Sequence, residues 1–143
     1  MLFLQKIRER FSPFPSRLIK MKDRPAILYV DDEETNLLLF QIAFEGAREV
    51  LLANSPDEGL IKLIENKERI ISVISDMHMP KMNGVQFINE AKKTLNTIPY
   101  FILSGYAYND EIDTALKEKK ILKFFTKPFD RAEIEGYLNK ITN

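Results

Sequence analysis

Ala26-Ile27-Leu28-Tyr29-Val30-Asp31-Asp32-Glu33-Glu34 joins five apolar residues to four acids without a break. A continuous apolar run of this length suits a strand buried on both faces, as in a parallel sheet covered by helices. Residues 35–44 follow, with Leu38, Leu39, Ile42 and Ala43 at the spacing of a helix's buried face. The alternation then repeats. Residues 50–53 read as a second strand, and Ser55-Pro56-Asp57-Glu58 as a helix start, with serine at the cap and proline at the first position. Leu60, Ile61, Leu63 and Ile64 supply that helix's apolar stripe. Residues 70–75, 100–103 and 121–125 are the third, fourth and fifth strands. The helices between and after them are expected over 84–95, over 109–120 and from a cap at Asp130 to about Ile141.

Five strands alternating with five helices argue a parallel sheet covered on both faces. Right-handed crossovers leave few topologies. The expected fold is α/β, a flavodoxin-like doubly wound (βα)5 with strand order 2-1-3-4-5. The chain's 143 residues suit one such domain. With no cysteine, disulfides, thiolate nucleophiles and cysteine-based zinc sites are excluded, and a single histidine excludes a histidine-rich metal centre. No apolar run approaches the roughly 18 residues of a membrane span. Lysine plus arginine and aspartate plus glutamate each number 21, so direct nucleic-acid binding by the whole chain is not expected.

That neutral total hides an asymmetry. Residues 1–24 hold seven cations against two acids, a net +5, and residues 25–143 a net −5. Two segments are therefore expected: a basic N-terminal extension over 1–24 and one folded domain over 25–143. Within the extension, Leu2, Phe3, Leu4, Ile7 and Phe11 alternate with basic residues before Pro13 and Pro15 break any helix. Three readings of it stand side by side. It is a disordered or loosely docked tail, an amphipathic arm making weak membrane or partner contact, or a leader preceding a start at Met21.

In the expected fold, ligands sit beyond the carboxyl ends of the strands. Asp31 and Asp32 follow strand 1, Asp76 follows strand 3, Ser104 and Gly105 follow strand 4, and Lys127 and Pro128 follow strand 5. Strands 1, 3, 4 and 5 are neighbours in that order, so one rim gathers three carboxylates, a hydroxyl and an ammonium. Clustered carboxylates raise one another's pKa, and an oxygen-preferring divalent cation removes the conflict. Mg²⁺ also accepts phosphate oxygens, so the constellation suits phosphoryl transfer, where catalysis is positioning plus charge stabilisation. A carboxylate can itself be the nucleophile, and Asp76, alone at the central strand end, is the candidate. Ser104 can donate to a phosphate oxygen and Lys127 can offset a charge on it. Each residue alone has an ordinary reading: Asp31-Asp32 as acids facing a helix dipole, Asp76 as a loop cap, Ser104-Gly105 as a turn. Their joint placement at four strand ends is what distinguishes them.

The same segments resemble the receiver domain of two-component response regulators. Residues 27–33 resemble that family's first strand and acidic pair, and 75–84 its phosphoacceptor segment. Residues 103–107 resemble its hydroxyl segment and 124–129 its lysine segment. The resemblance spans 25–142 and implies a phosphoprotein that accepts a phosphoryl group on Asp76 from a histidine kinase or phosphotransfer protein. It implies Mg²⁺ held by the Asp32 and Asp76 side chains and the His78 backbone carbonyl, with Asp31 supporting the metal through water. Ser104 and Lys127 would contact the phosphoryl group. Ser104 and Phe124 would be the switch pair, and His78 and Tyr106 would tune dephosphorylation. A cis Lys127–Pro128 peptide is implied as well. The output face would be helix 4–strand 5–helix 5, signalling to a downstream protein target. The resemblance further implies a cytoplasmic phosphoacceptor that catalyses only its own phosphorylation and dephosphorylation. It would be a monomer or a phosphorylation-dependent dimer.

Three departures from the pattern stand out. Ser104 replaces the commoner threonine, the turn before strand 5 lacks its usual glycine, and Phe124-Phe125 leaves two rings for one switch position. Other functions fit less well. A phosphatase with an aspartyl nucleophile wants an acid where His78 stands. A flavin carrier would need a Ser/Thr/Gly-rich loop where four acids stand. A non-phosphorylated scaffold would have lost an acid or the lysine. A chain ending just after helix 5 would be a stand-alone receiver or a phosphorelay intermediate. A fragment of a larger regulator or hybrid kinase would leave its output to the missing part.

Overall fold

The computed structural model of the chain describes residues 24–142. Strands β1 (Ala26–Val30), β2 (Glu49–Ala53), β3 (Ile70–Ser75), β4 (Tyr100–Ser104) and β5 (Lys123–Thr126) pair in parallel in the order β2-β1-β3-β4-β5. Helices α1 (Glu34–Phe44), α2 (Pro56–Asn66), α3 (Gly84–Thr94), α4 (Asp110–Lys117) and α5 (Arg131–Thr142) each follow a strand. This is the expected flavodoxin-like topology. The extension expected over residues 1–24 lies, apart from Arg24, outside the described residues.

Strand periodicity divides the apolar residues between two cores. Leu28, Val30, Val73 and Ile102 face Leu63 of α2, Phe87 and Ile88 of α3 and Ile112 of α4. Ile27, Tyr29, Ile74, Phe101 and Phe125 face Phe40 and Phe44 of α1 and Ile134 and Leu138 of α5. Helix starts are capped by short polar side chains. Ser55 Oγ accepts from the Glu58 N–H at 3.1 Å and Asn109 Oδ1 from the Ile112 N–H at 2.9 Å. Asn83 and Gln86 form a reciprocal capping box, and Asp130 accepts from the Ala132 N–H at 2.9 Å.

Three expectations are corrected. In α1 the expected inner residues Leu38, Leu39 and Ile42 are 55%, 54% and 56% exposed, whereas Leu37, Phe40 and Phe44 are buried. Apolar residues surround this helix, so spacing alone allows two phases. The larger rings occupy the interior: Phe40 stacks on Tyr29 at 4.2 Å and meets Phe44 at 4.6 Å. In α2, Ile61 and Ile64 are exposed while Pro56, Gly59 and Leu63 face inward. The helix rests close enough on Phe87 and Val30 that a Cβ on Gly59 would lie 2.9 Å from the Phe87 ring. Finally, α4 ends at Lys117 and β5 begins at Lys123, both short of expectation. Lys119 takes a left-handed φ of 60°, with Lys120 N–H bonded to Ala115 O at 2.8 Å and Lys119 N–H to Leu116 O at 3.1 Å. That pair of bonds normally closes helices on glycine. The turn lacking glycine keeps the geometry with a lysine, and it consumes the residues expected to start the strand.

No helix among the described residues is long and apolar enough to cross a membrane.

Candidate functional site

The β1–β3 junction fixes the acidic rim. The Asp76 N–H bonds to Val30 O at 2.8 Å and the Asp31 N–H to Ala53 O at 3.1 Å, so the parallel ladder continues one residue past each strand end. Asp31, Asp32 and Asp76 consequently bring one carboxylate oxygen each within 4.8 Å of one another. Asp31 is fully buried and Asp76 nearly so, while Asp32 faces solvent. From the far side, the Lys127 N–H bonds to Ser104 O at 2.9 Å, which ties β5's end to β4's. The Lys127–Pro128 peptide is cis.

Lys127 Nζ lies 2.7 Å from Asp31 Oδ2 and 3.3 Å from Asp76 Oδ1, an ammonium shared between two buried carboxylates. Asp31 also accepts from the Tyr29 hydroxyl at 2.6 Å and the Glu33 N–H at 2.9 Å. Asp76 accepts from the Met77 N–H at 2.9 Å. Burial raises the Asp76 pKa above the usual carboxylate range; the Asp31 charge adds to this, and Lys127 together with the Met77 N–H offsets part of it. Burial works against the Lys127 ammonium, but its hydrogen bond to Asp31 and the two carboxylate charges outweigh that and raise its pKa. The Tyr29 hydroxyl is held firmly protonated by burial and by Asp31.

The remaining candidates line the same end of the sheet. Ser104 is buried, and its Oγ accepts from the Tyr106 N–H at 3.2 Å. The exposed His78 and Tyr106 rings meet at 4.0 Å between centroids, joining the loops after β3 and β4. The phenylalanine doublet divides between the two cores. Phe125 is fully buried beside Phe101 and Tyr137, whereas Phe124 is half-buried in a T-shaped contact with Tyr108, 5.7 Å between ring centroids.

Two contributors escape a motif-based reading. Tyr29 precedes Asp31 by two residues on an extended chain, so both side chains point the same way. That period-two relation was the available signal. Gly84 donates its N–H to Met77 O at 2.8 Å, and a Cβ there would lie 2.3 Å from the Asp76 carbonyl oxygen. The sequence offers no signal for that approach beyond the glycine itself.

The donor set suits a hard divalent cation: three carboxylates from two strand ends and no sulfur or imidazole among the clustered ligands. Comparison with known proteins gives the family. Residues 27–139 match the response regulator receiver domain family. The sporulation initiation phosphotransferase F of Bacillus subtilis is 35% identical over 117 residues, 80% of this chain and 90% of that protein. The transcriptional regulatory protein GlrR of Escherichia coli is 34% identical over 114 residues, 78% of this chain. The chain spans only about a quarter of the length of that protein and of other regulators like it. A response regulator receiver domain protein from Clostridium thermocellum superposes with a TM-score of 0.76 at 34% identity, covering 82% of this chain and 93% of that one. With its fold, its acidic rim and its shared lysine, this chain belongs to the response regulator receiver domain family.

Proposed function

We propose that residues 25–143 form a single-domain response regulator that accepts a phosphoryl group on Asp76 from a histidine kinase or phosphotransfer protein. The observation that carries this is the Lys127 ammonium held between Asp31 and Asp76 at the rim where three carboxylates converge. Asp31, Asp32 and Asp76, with the His78 carbonyl, would hold Mg²⁺. The ion would neutralise the carboxylates and the oxygens of the incoming group. An Asp76 carboxylate oxygen attacks phosphorus, forming a P–O bond as the bond to the donor breaks. Water later attacks the phosphorus, the P–O bond to Asp76 breaks, and inorganic phosphate leaves as the carboxylate is restored. Lys127, already beside Asp76, exchanges part of its carboxylate pairing for a phosphoryl oxygen, and the Ser104 hydroxyl donates to another.

Loss of the Asp76 charge and gain of a dianionic group would redistribute both hydrogen-bond sets. Ser104 would leave the Tyr106 N–H, and Phe124 would turn inward from the Tyr108 edge. The α4–β5–α5 surface would then change its preference for a downstream protein, a population shift driven by local charge. A second reading, phosphorelay intermediate, is favoured by the near-complete coverage of the Bacillus subtilis phosphotransferase. The cytoplasm, where kinases of this class present phosphohistidine, is the proposed location.

Incubation with acetyl phosphate or beryllofluoride plus Mg²⁺ tests the assignment. Wild type is expected to be modified and Asp76→Asn is not. Equal modification of both proteins, or of neither, refutes the reading.

His78 and Tyr106 each follow a site residue by two positions, Asp76 and Ser104, and their stacked rings would screen the acyl phosphate from water. The phosphorylated wild type is therefore expected to be long-lived. Replacing both rings with alanine should accelerate hydrolysis on the order of tenfold, about 1.4 kcal/mol in the barrier. A wild-type half-life of seconds, or unchanged decay in the double variant, contradicts this.

A further inference from the structure

We propose that residues 1–11 of this chain dock as a basic arm in the apolar groove between α1 and the loop after β5. The groove has a volume of about 630 Å³ and is lined by Leu39, Ile42 and Ala43 of α1 and by Pro128 and Phe129, with Tyr29 at its floor. Leu38, Leu39 and Ile42 are each more than half exposed, an unusual state for three large apolar side chains on one short helix.

Three observations point to the chain's own beginning. The first is position. Arg24 lines a surface cleft together with Gln41, Glu45 and Gly46, so the chain leaves the fold at the carboxyl end of α1. Leu38, Gln41, Ile42 and Glu45 succeed one another along one side of that helix, which leads from the exit point toward the groove. The second is reach. Residues 12–23 can extend about 40 Å, whereas the 11 residues of α1 rise only about 16 Å. The third is charge. Residues 31–47 contain five acids and no lysine or arginine, whereas residues 1–24 carry a net +5. Arg131 lies over the Phe44 ring at the inner side of α1, away from these acids' open face. As a helix, Leu4, Ile7 and Phe11 would share a face, with Arg8 at its margin and Lys6 and Arg10 away from it. Apolar residues would thus meet apolar residues while the cations face Glu33, Glu34 and Glu45. The groove shares Lys127 with the acidic rim, so the docked arm would lie beside the phosphoacceptor without touching it.

The full chain lacks cysteine, so Gln5→Cys creates a unique attachment point for a nitroxide. In its NMR spectrum the amide signals of Leu38, Leu39, Ile42 and Phe129 should lose most of their intensity, while those of α3 and α4 keep theirs. Ile7→Asp, in the arm itself, should abolish the loss, and so should Leu39→Asp from the groove side. Uniform intensity in the labelled protein overturns the proposal. So does loss that appears only when spin-labelled chains are mixed with unlabelled isotopically enriched ones, which assigns the groove to a second copy. Loss at the groove that survives Ile7→Asp also overturns it. A groove that keeps its intensity while anionic phosphatidylserine vesicles bind the labelled arm assigns the arm to membranes and refutes docking.

Discussion

Gly84→Ala is expected to destabilise the domain by about 2–3 kcal/mol, lowering its unfolding midpoint by roughly 8–12 °C. A Cβ at this position would meet the Asp76 carbonyl oxygen at 2.3 Å and Ile102 Cδ1 at 2.8 Å. The second contact can relax by a side-chain adjustment. The first cannot relax cheaply, because that carbonyl is fixed by the Ser75 hydroxyl at 2.8 Å and its residue by the bond from Asp76 N–H to Val30 O. The displaced backbone belongs to the proposed phosphoacceptor, so the rate of modification by acetyl phosphate should fall together with stability. Gly136→Ala provides the contrast. Beyond its own helix's backbone and its chain neighbours, no atom among the described residues lies within 4 Å of its added Cβ, and it sits inside α5. There alanine should stabilise by about 0.5–1 kcal/mol, since it only reduces the conformational freedom of the unfolded chain. Denaturant titration of the three proteins measures both effects. Equal midpoints for Gly84→Ala and wild type would show that the loop from Asp76 to Gly84 yields more easily than its hydrogen bonds indicate.

Asp76 and its neighbours also show where sequence reading succeeds and fails. Strand order and the convergence of Asp31, Asp32, Asp76 and Lys127 were legible because both follow from topology. A parallel sheet of known order brings its carboxyl ends together whatever the side chains do. The Ser55, Asn109 and Asp130 caps were legible because capping is local chemistry. Helix phase was not legible in α1, where apolar residues surround the axis. Shape decided it, through Phe40 stacking on Tyr29 and Phe44, and shape is a property of two distant segments meeting. In α2 the deciding residue was Gly59, whose lack of a side chain lets the helix settle on Phe87. Likewise the late start of β5 follows from Lys119 accepting a backbone conformation that composition assigns to glycine. The doublet Phe124-Phe125 was ambiguous by one residue, and only the register of Phe124 with Ile102 and Phe125 with Leu103 assigns each ring to a core.

Lys127→Met should have the other large effect, a loss of about 2–4 kcal/mol at neutral pH without metal, because it leaves Asp31 and Asp76 as neighbouring buried charges. The Tyr29 hydroxyl and Glu33 N–H still serve Asp31, so Asp76 bears most of the change. The pH dependence follows from the two shifts. Asp76 already has a folded-state pKa above its unfolded value, so its ionised form costs the native state stability. Removing Lys127 deletes the main opposing influence and raises that pKa further. Protonation relieves the cost as pH falls from the folded pKa toward the unfolded value of about 3.9. The variant's deficit relative to wild type should therefore shrink on acidification. At the alkaline end wild type loses its own advantage. Lys127 has a raised folded pKa, so its contribution is complete below the unfolded value of about 10.4 and disappears as pH rises through the folded one. The difference between the two proteins, measured by denaturant unfolding at each pH, should be widest in the neutral range and narrow at both ends. Mg²⁺ should close part of the neutral gap, since a cation among the three carboxylates replaces the missing charge and stabilises only the folded form. A deficit that stays constant from pH 4 to pH 7 would mean that Lys127 supports the fold by packing, and that the pairing of its ammonium with Asp76 contributes little.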